Sequence, residues 1–173
     1  MPNVFLTSDT HFSHLGMCVF VKPDGSKCRP WTNPQEMDEH LIAAWNSVVQ
    51  PGDKVYHLGD VVINRKALPA IMPRLNGKKV LIKGNHDIFK LADYTPWFYD
   101  IRGSHKLGNM LLSHIPMHPS QLTRFPHNVH GHLHHNLVLL PGEFVPDQRY
   151  INVCVEHTNW TPAELGVVME RTK

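Results

Sequence analysis

Apolar residues fall along the first half of the chain in two alternating rhythms. Val4-Phe5-Leu6-Thr7 is a short β-prone run ending in Ser8-Asp9-Thr10-His11, which predicts a buried strand that delivers polar groups at its C-terminal end. A loop rich in Pro, Gly and Lys follows, from about residue 14 to 32. Asn33-Pro34-Gln35-Glu36 then predicts a helix start, with a capping Asn, Pro at the first helical position and Glu three residues after the cap. Met37, Leu41, Ile42, Trp45, Val48 and Val49 recur at helical spacing until Pro51-Gly52 stops the element. Lys54-Val55-Tyr56-His57-Leu58 predicts a second strand, ending in Gly59-Asp60. Leu68, Ile71, Met72 and Leu75 predict a helix that Pro69 and Pro73 keep short, and Asn76-Gly77 closes it. The third strand, Lys79-Val80-Leu81-Ile82, runs into Gly84-Asn85-His86-Asp87. This order implies right-handed βαβ units and a parallel sheet.

The second half has a different texture. Met110-Leu111-Leu112, Asn128-Val129-His130, Leu137-Val138-Leu139-Leu140, Ile151-Asn152-Val153-Cys154-Val155 and Leu165-Gly166-Val167-Val168-Met169 are short β-prone runs separated by turns. They predict a second sheet, largely antiparallel, packed on the first. No repeat, low-complexity tract or linker divides the chain, so the expected organisation is one α/β domain over residues 1–173.

Composition narrows the function classes. With 42% apolar and 18% charged residues, the chain is an ordinary globular protein, long enough to bury a core without disulfides or a structural metal. No apolar stretch approaches the length needed to cross a bilayer. Met1-Pro2-Asn3-Val4-Phe5 lacks the basic region and cleavage site of a secretory signal, so the cytoplasm is the expected compartment. Cys18, Cys28 and Cys154 cannot all pair within one chain and are expected as free thiols. A formal charge of +2 with no Lys/Arg run gives no basis for a strong nucleic-acid surface. Oligomeric state leaves no mark in the sequence. The unusual number is 14 histidines, which together with placed Asp and Asn point to metal or acid–base chemistry.

Open α/β sheets place their ligand crevice where strands end. The residues just after the β-runs are Asp9 and His11, Asp60, Asn85 and His86, His114, and His132 with His134. All are metal-ligand or acid–base types. In extended chain, side chains two apart point the same way, so Asp9/His11 and His132/His134 can each offer two donors to one centre. Gly59, Gly84 and Gly131 mark places where backbone must turn sharply or pass close to something. Each motif alone has a plainer explanation: a turn for Asp-x-His or Gly-Asp, a solvent-facing side chain for His114. Jointly, in this order and each at a strand end, coincidence is a poor account.

The series Asp9-Thr10-His11, Gly59-Asp60, Gly84-Asn85-His86-Asp87, Ser113-His114 and Gly131-His132-Leu133-His134 resembles the ordered motifs of calcineurin-like metallophosphoesterases. The likeness is nearest to the small bacterial and phage members, and includes Glu36-Met37-Asp38-Glu39. It implies two mixed β-sheets packed as a sandwich with flanking helices, four layers in the order α/β/β/α. It further implies that Asp9, His11 and His134 bind one metal and Asn85, His114 and His132 a second, with Asp60 bridging. A carboxylate can hold two cations ~3.5–4 Å apart. Imidazoles and an amide carbonyl without thiolate suit Mn, the favoured ion, or Fe, Co, Ni or Zn, better than Mg or Ca. On this likeness a metal-bridging hydroxide attacks phosphorus in line, without a covalent phosphoenzyme. His86 stabilises or protonates the leaving oxygen, and Asp87 either orients that imidazole or caps the following helix.

Protein Ser/Thr phosphatases of the same superfamily carry arginines in Gly-Asp-x-x-Asp-Arg-Gly and Arg-Gly-Asn-His-Glu. Here Gly59-Asp60-Val61-Val62-Ile63-Asn64-Arg65 breaks the first pattern, and Lys83 stands where the second has arginine. A small phosphodiester, nucleotide-derived, is therefore the expected substrate, with a phosphomonoester as the alternative. Substrate choice should lie in the irregular segments around residues 14–32, 116–127 and 156–161. There His14, Arg29, His118 and Arg124 could meet phosphate, and Trp31 or Trp160 could stack on a base. A catalytically silent scaffold would have lost ligands, and a histidine-rich metal buffer would cluster them in one tract. The sequence does neither.

Overall fold

The period-2 alternation of the early strands becomes a division between two cores. In a computed structural model describing residues 2–172, β1 (Val4–Thr7), β2 (Lys54–His57), β3 (Lys78–Ile82) and β4 (Asp100–Arg102) run parallel, with Leu6 opposite Tyr56 and Tyr56 opposite Val80. The two-residue β9 (Ala163–Glu164) adds antiparallel to β1 and completes the order β4-β3-β2-β1-β9. Phe5, Val55 and Leu81 face a core shared with helices α2 (Pro34–Val48) and α3 (Ala67–Ile71). Leu6, Tyr56, Val80 and Ile82 face the other way, into a core shared with the second sheet.

That second sheet has the order β5 (Ser104–Leu107), β6 (Met110–Ser113), β7 (His127–His130), β8 (Tyr150–Asn152). Met110, Leu112, Val129 and Ile151 fill the inter-sheet core. The chain is thus α/β, with two mixed sheets meeting through one apolar layer.

Helix α2 starts as read: Asn33 Oδ1 accepts the Glu36 N–H at 2.9 Å, and Pro34 follows the cap. Met37, Leu41, Ile42 and Trp45 are its buried face. Pro69 and Pro73 confine the next helix to α3 and a 3₁₀ turn over Met72–Arg74. Two short helices, α1 (Leu15–Val19) and α4 (Leu91–Tyr94), have no side-chain caps that would have announced them.

Several expectations for the second half need correction. The second sheet is not largely antiparallel: β5–β6 is, but β6–β7 and β7–β8 are parallel. Parallel neighbours need crossovers of about a dozen residues or more, and the stretches between these strands are those crossovers. Leu137–Leu140 lies in one of them and contributes only an isolated bridge, Leu139 to Pro146. The run Leu165–Met169 is helix α5 (Leu165–Glu170), beside β9, with Val168 in the inter-sheet core. A short apolar run does not separate buried strand from buried helix. No α-helix lies between β6 and β8 among the described residues, only a 3₁₀ turn at Pro119–Thr123. The outer face of the second sheet is instead tied to irregular chain: Asn128 Oδ1 accepts Met117 N–H, Tyr150 Oη donates to Met117 O, and Asn152 Nδ2 donates to His134 O and Asn136 O.

Candidate metal centre

Every candidate ligand sits just past the C-terminal end of a strand. Asp9 and His11 follow β1, Asp60 follows β2, Asn85 follows β3, His114 follows β6, and His132 and His134 follow β7. These loops are not extended chain. Asp9, His11, Asp60, His132 and His134 all have left-handed backbones, with φ between 48° and 68°. Such conformations cost non-glycine residues on the order of 1 kcal/mol or more and persist where surroundings over-determine them. Here the loops pin one another: Asp9 N–H donates to Gly59 O, His11 N–H to Asp60 O, Gly131 N–H to His114 O and His132 N–H to Asp9 Oδ2. The pairing by alternation therefore works differently from the extended-chain argument. Asp9 and His11 converge through a coil, and His132 and His134 diverge.

Two glycines permit this crowding. A Cβ on Gly84 would lie 2.3 Å from Asp60 Oδ1, and one on Gly131 would lie 2.0 Å from Ser8 Oγ. Both marked a close approach in the sequence, and the approach is to a ligand carboxylate or its support.

The seven residues form two neighbouring groups. Ligand atoms of Asp9, His11 and His134 lie within 4.8 Å of one another, as do those of Asp60, His114 and His132. Asn85 Oδ1 joins the second group, 2.9 Å from His114 Nε2. Asp60 Oδ2 lies between the groups, 3.5 Å from His11 Nε2 and 3.4 Å from His114 Nε2.

Hydrogen-bond accounting tests whether cations fit. Asp9 Oδ2 accepts from Ser8 Oγ, the His132 N–H and Cys154 Sγ. Asp9 Oδ1 is buried with no hydrogen-bond partner, and so is His11 Nε2. His11 Nε2 and His134 Nε2 each lie 3.8 Å from that oxygen. Buried polar atoms are normally paired. An unpaired carboxylate oxygen and an unpaired imidazole, with His134 Nε2 beside them, form a donor set suited to a divalent cation.

Burial opposes ionisation of Asp9 and Asp60, but surrounding imidazoles outweigh it. Interactions with His11, His114 and His134 hold Asp9 well below the carboxylate range, and His114 lowers Asp60. Burial lowers the His11 pKa, which favours the neutral imidazole a metal requires.

Residues behind the ligands fix their orientation. His114 Nδ1 hydrogen-bonds Leu58 O at 2.7 Å and leaves Nε2 facing the site. His134 Nδ1 lies 3.2 Å from Glu156 Oε1, and buried Arg29 binds that same carboxylate while donating to the carbonyls of Asp9 and Thr10. Burial would raise the Glu156 pKa; Arg29 and His134 reverse that and keep it low. Glu156 was not singled out in the sequence, because nothing local distinguishes a carboxylate in a 3₁₀ turn (Val155–His157) from a surface acid. The Glu36–Glu39 segment is likewise explained by Asp38, which accepts from Ser13 N–H and Oγ and secures the loop after His11.

Four expected site residues have other work. Asp87 neither orients His86 nor caps a helix: its carboxylate accepts the backbone N–H groups of Asp60, Val61 and Gly84, tying two ligand loops together. Arg29 is buried in the network above, so its guanidinium is not available to substrate phosphate. His118 is spent on capping the 3₁₀ turn through Ser120, and Arg124 ends that turn. Neither lines a cavity at the metal groups. Trp31 and Trp160 pack together, centroids 4.7 Å apart, against the helical core.

His86 and His14 do reach the site, with ring centroids 5.4 and 5.3 Å from that of His11. Burial pushes His14 down to about 4. The His86 backbone N–H donates to Asp60 Oδ1 at 2.8 Å, which couples its position to the carboxylate between the groups. Cys18, Cys28 and Cys154 are free. No helix among the described residues is long and apolar enough to cross a membrane.

Comparison with known proteins adds kinship. No family model matches the chain. A crystal structure of the protein of unknown function AQ665 from Aquifex aeolicus has the same fold, with a TM-score of 0.71 at 21% identity over 98% of this chain and 99% of that one. The Gene 66 protein of Mycobacterium phage D29 is 32% identical over 140 residues, 67% of this chain and 65% of its own length. Uncharacterized protein MJ1445 of Methanocaldococcus jannaschii is 31% identical over 177 aligned positions, covering 98% of this chain and 91% of its own. On that extent of shared sequence, the chain belongs to the family of MJ1445.

Proposed function

We propose that this protein is a dinuclear metal-dependent phosphoesterase that favours phosphodiesters, as the resemblance of its motifs to calcineurin-like metallophosphoesterases implies. The observation that carries the reading is the position of Asp60 Oδ2, within 3.5 Å of an imidazole nitrogen from each group. Asp9, His11 and His134 would hold one divalent ion, Asn85, His114 and His132 the other, and Asp60 both. Mn is favoured, and Fe, Co, Ni or Zn also suit the donors. Such ions, when bound, attract phosphate and acidify water near neutral pH.

The chain's own groups do the remaining work. Glu156 and Arg29 hold the His134 ring, the Leu58 carbonyl holds His114, and Asp87 holds the Asp60 loop against the Gly84 loop. His86 is exposed at the site and gives a proton to the departing oxygen. Diesters are favoured because, among the described residues, no arginine lines the cavities at the two groups; the cation there is Lys83. A dianionic monoester would lack the bidentate clamp a guanidinium provides. The two mixed sheets, with ligands at strand ends, support the sandwich architecture that the resemblance implies.

The test is hydrolysis of bis-p-nitrophenyl phosphate against p-nitrophenyl phosphate by Mn-loaded protein. Mn-dependent turnover, faster on the diester, is expected. Turnover of the monoester alone would move the assignment to a phosphomonoesterase, and no turnover of either would leave a metal-binding protein without this activity.

A further inference from the structure

A cavity of about 540 Å³ adjoins the first metal group, and metal binding does not account for its far wall. Helix α1 has only five residues; His14 precedes it, Phe20 follows it, and both side chains line the cavity. Their rings meet edge to face with centroids 6.0 Å apart. Gly16 makes that contact possible, since a Cβ there would fall 2.7 Å from His14 Nε2 and 2.8 Å from Phe20 Cζ. The short helix thus presents two flat rings to one space, and Phe20 remains 52% exposed. Met17, Ile63 and Leu133 extend the apolar wall, while His135 and Asn136 give it a polar edge. The volume is in the range of small-molecule sites, and apolar walls with few polar groups are typical of them.

Across the metal groups lies a smaller cavity of about 310 Å³, lined by Asn85, His114, Lys83 and Ser113 among others. The site is therefore flanked by two spaces, a larger one with the rings of His14 and Phe20 on its wall and a smaller one that carries Lys83. His86 lines the larger one.

We propose that the larger cavity binds a nucleoside as the leaving arm of a phosphodiester, its base against Phe20 and His14 and its polar edge toward His135 and Asn136. The inference rests on the phosphodiesterase reading above. The smaller cavity holds a compact arm that stays on phosphorus beside Lys83. Water oxygen bonds to phosphorus, and the bond from phosphorus to the nucleoside oxygen breaks with its electron pair going to that oxygen. The oxygen takes a proton from His86, the attacking water releases one to solvent, and His86 is reprotonated from solvent. The products are a free nucleoside and the phosphomonoester of the other arm.

Two measurements test this, and they separate its failure from that of the parent reading. Mn-loaded protein is given adenosine 5′-methyl phosphate and the products are followed by ³¹P NMR. Adenosine and methyl phosphate are expected; AMP and methanol would overturn the orientation. Calorimetry then measures adenosine binding to the wild type, Phe20→Ala and Phe20→Tyr. Loss of stacking should weaken binding by about tenfold or more in Phe20→Ala, with Phe20→Tyr restoring it; equal affinity in all three would remove the nucleoside from this cavity. Phe20-dependent adenosine binding without hydrolysis of any diester would reject the phosphodiesterase reading and the leaving-arm role with it, leaving a nucleoside site. Diester hydrolysis with Phe20-independent binding would reject the nucleoside arm alone.

Discussion

The two metal groups are built unequally. The first has a carboxylate of its own, Asp9, fully buried and held by three donors, and a second carboxylate, Glu156, behind His134. The second has a neutral amide from exposed Asn85, shares Asp60, and has a backbone carbonyl behind His114. On the proposed reading, more anionic charge and deeper burial would make the first the tighter cation site and the second the more exposed one. Asymmetry of this kind would give a symmetric-looking set of histidines two cation sites of unequal affinity.

The sharpest way to break the comparison is to remove what the groups share. Asp60→Asn should lower diester turnover by more than about a thousandfold, since several kcal/mol of charge stabilisation depend on the pair. Full activity in that variant would end the bridging assignment. His86→Gln should leave metal content unchanged while turnover falls by about 10²–10⁴. That loss should shrink with a nitrophenolate leaving group, which needs no proton. Equal losses across leaving groups would make His86 a phosphate binder.

Smaller effects separate the two groups. Glu156→Gln should weaken the tighter Mn site by about 10–100-fold in a calorimetric titration and leave the weaker one nearly unchanged. Asn85→Ala should do the reverse. If both substitutions shift the same binding step, the groups are not independent in the way their geometry implies.

The smallest effect concerns the platform beneath both groups. His57 is fully buried, bonds Thr10 Oγ1, and burial pushes its pKa from 6.5 down to about 3. The unfolded chain binds this proton between those values and the folded chain does not. Stability from His57 is therefore complete above about pH 6.5 and is lost as pH falls toward 3, with a slope of up to about 1.4 kcal/mol per pH unit. Urea unfolding of chelated protein at several pH values should show that slope, and His57→Gln should flatten it. An unchanged slope would assign the acid sensitivity to other groups.

The site was far more legible in the sequence than the second sheet. The seven candidate positions that the fold brings together stood out because side chains of metal-binding type recur after β-runs, and Gly84 and Gly131 mark the close approaches that let them converge. The unread parts depend on distance in space. Glu156 and Arg29 meet across 127 residues, and no local pattern joins them. Asp87 satisfies three backbone donors that only the folded loops bring together. Val168 looks the same in a buried helix as in a buried strand, so the run Leu165–Met169 predicts strand where the fold has α5. Parallel pairing of β6, β7 and β8 was hidden because their crossovers contain no α-helix to signal a βαβ unit. The polar run Ser104–Leu107 gave no alternation strong enough to mark β5.

The most direct test of the central claim is electron paramagnetic resonance of the Mn-loaded protein at increasing metal ratio. The account predicts an isolated Mn(II) signal at the first equivalent and an exchange-coupled pair near the second, with the coupling absent in Asp60→Asn. Saturation at one ion per chain, or two ions that remain uncoupled in the wild type, would contradict a centre in which Asp60 joins two metals.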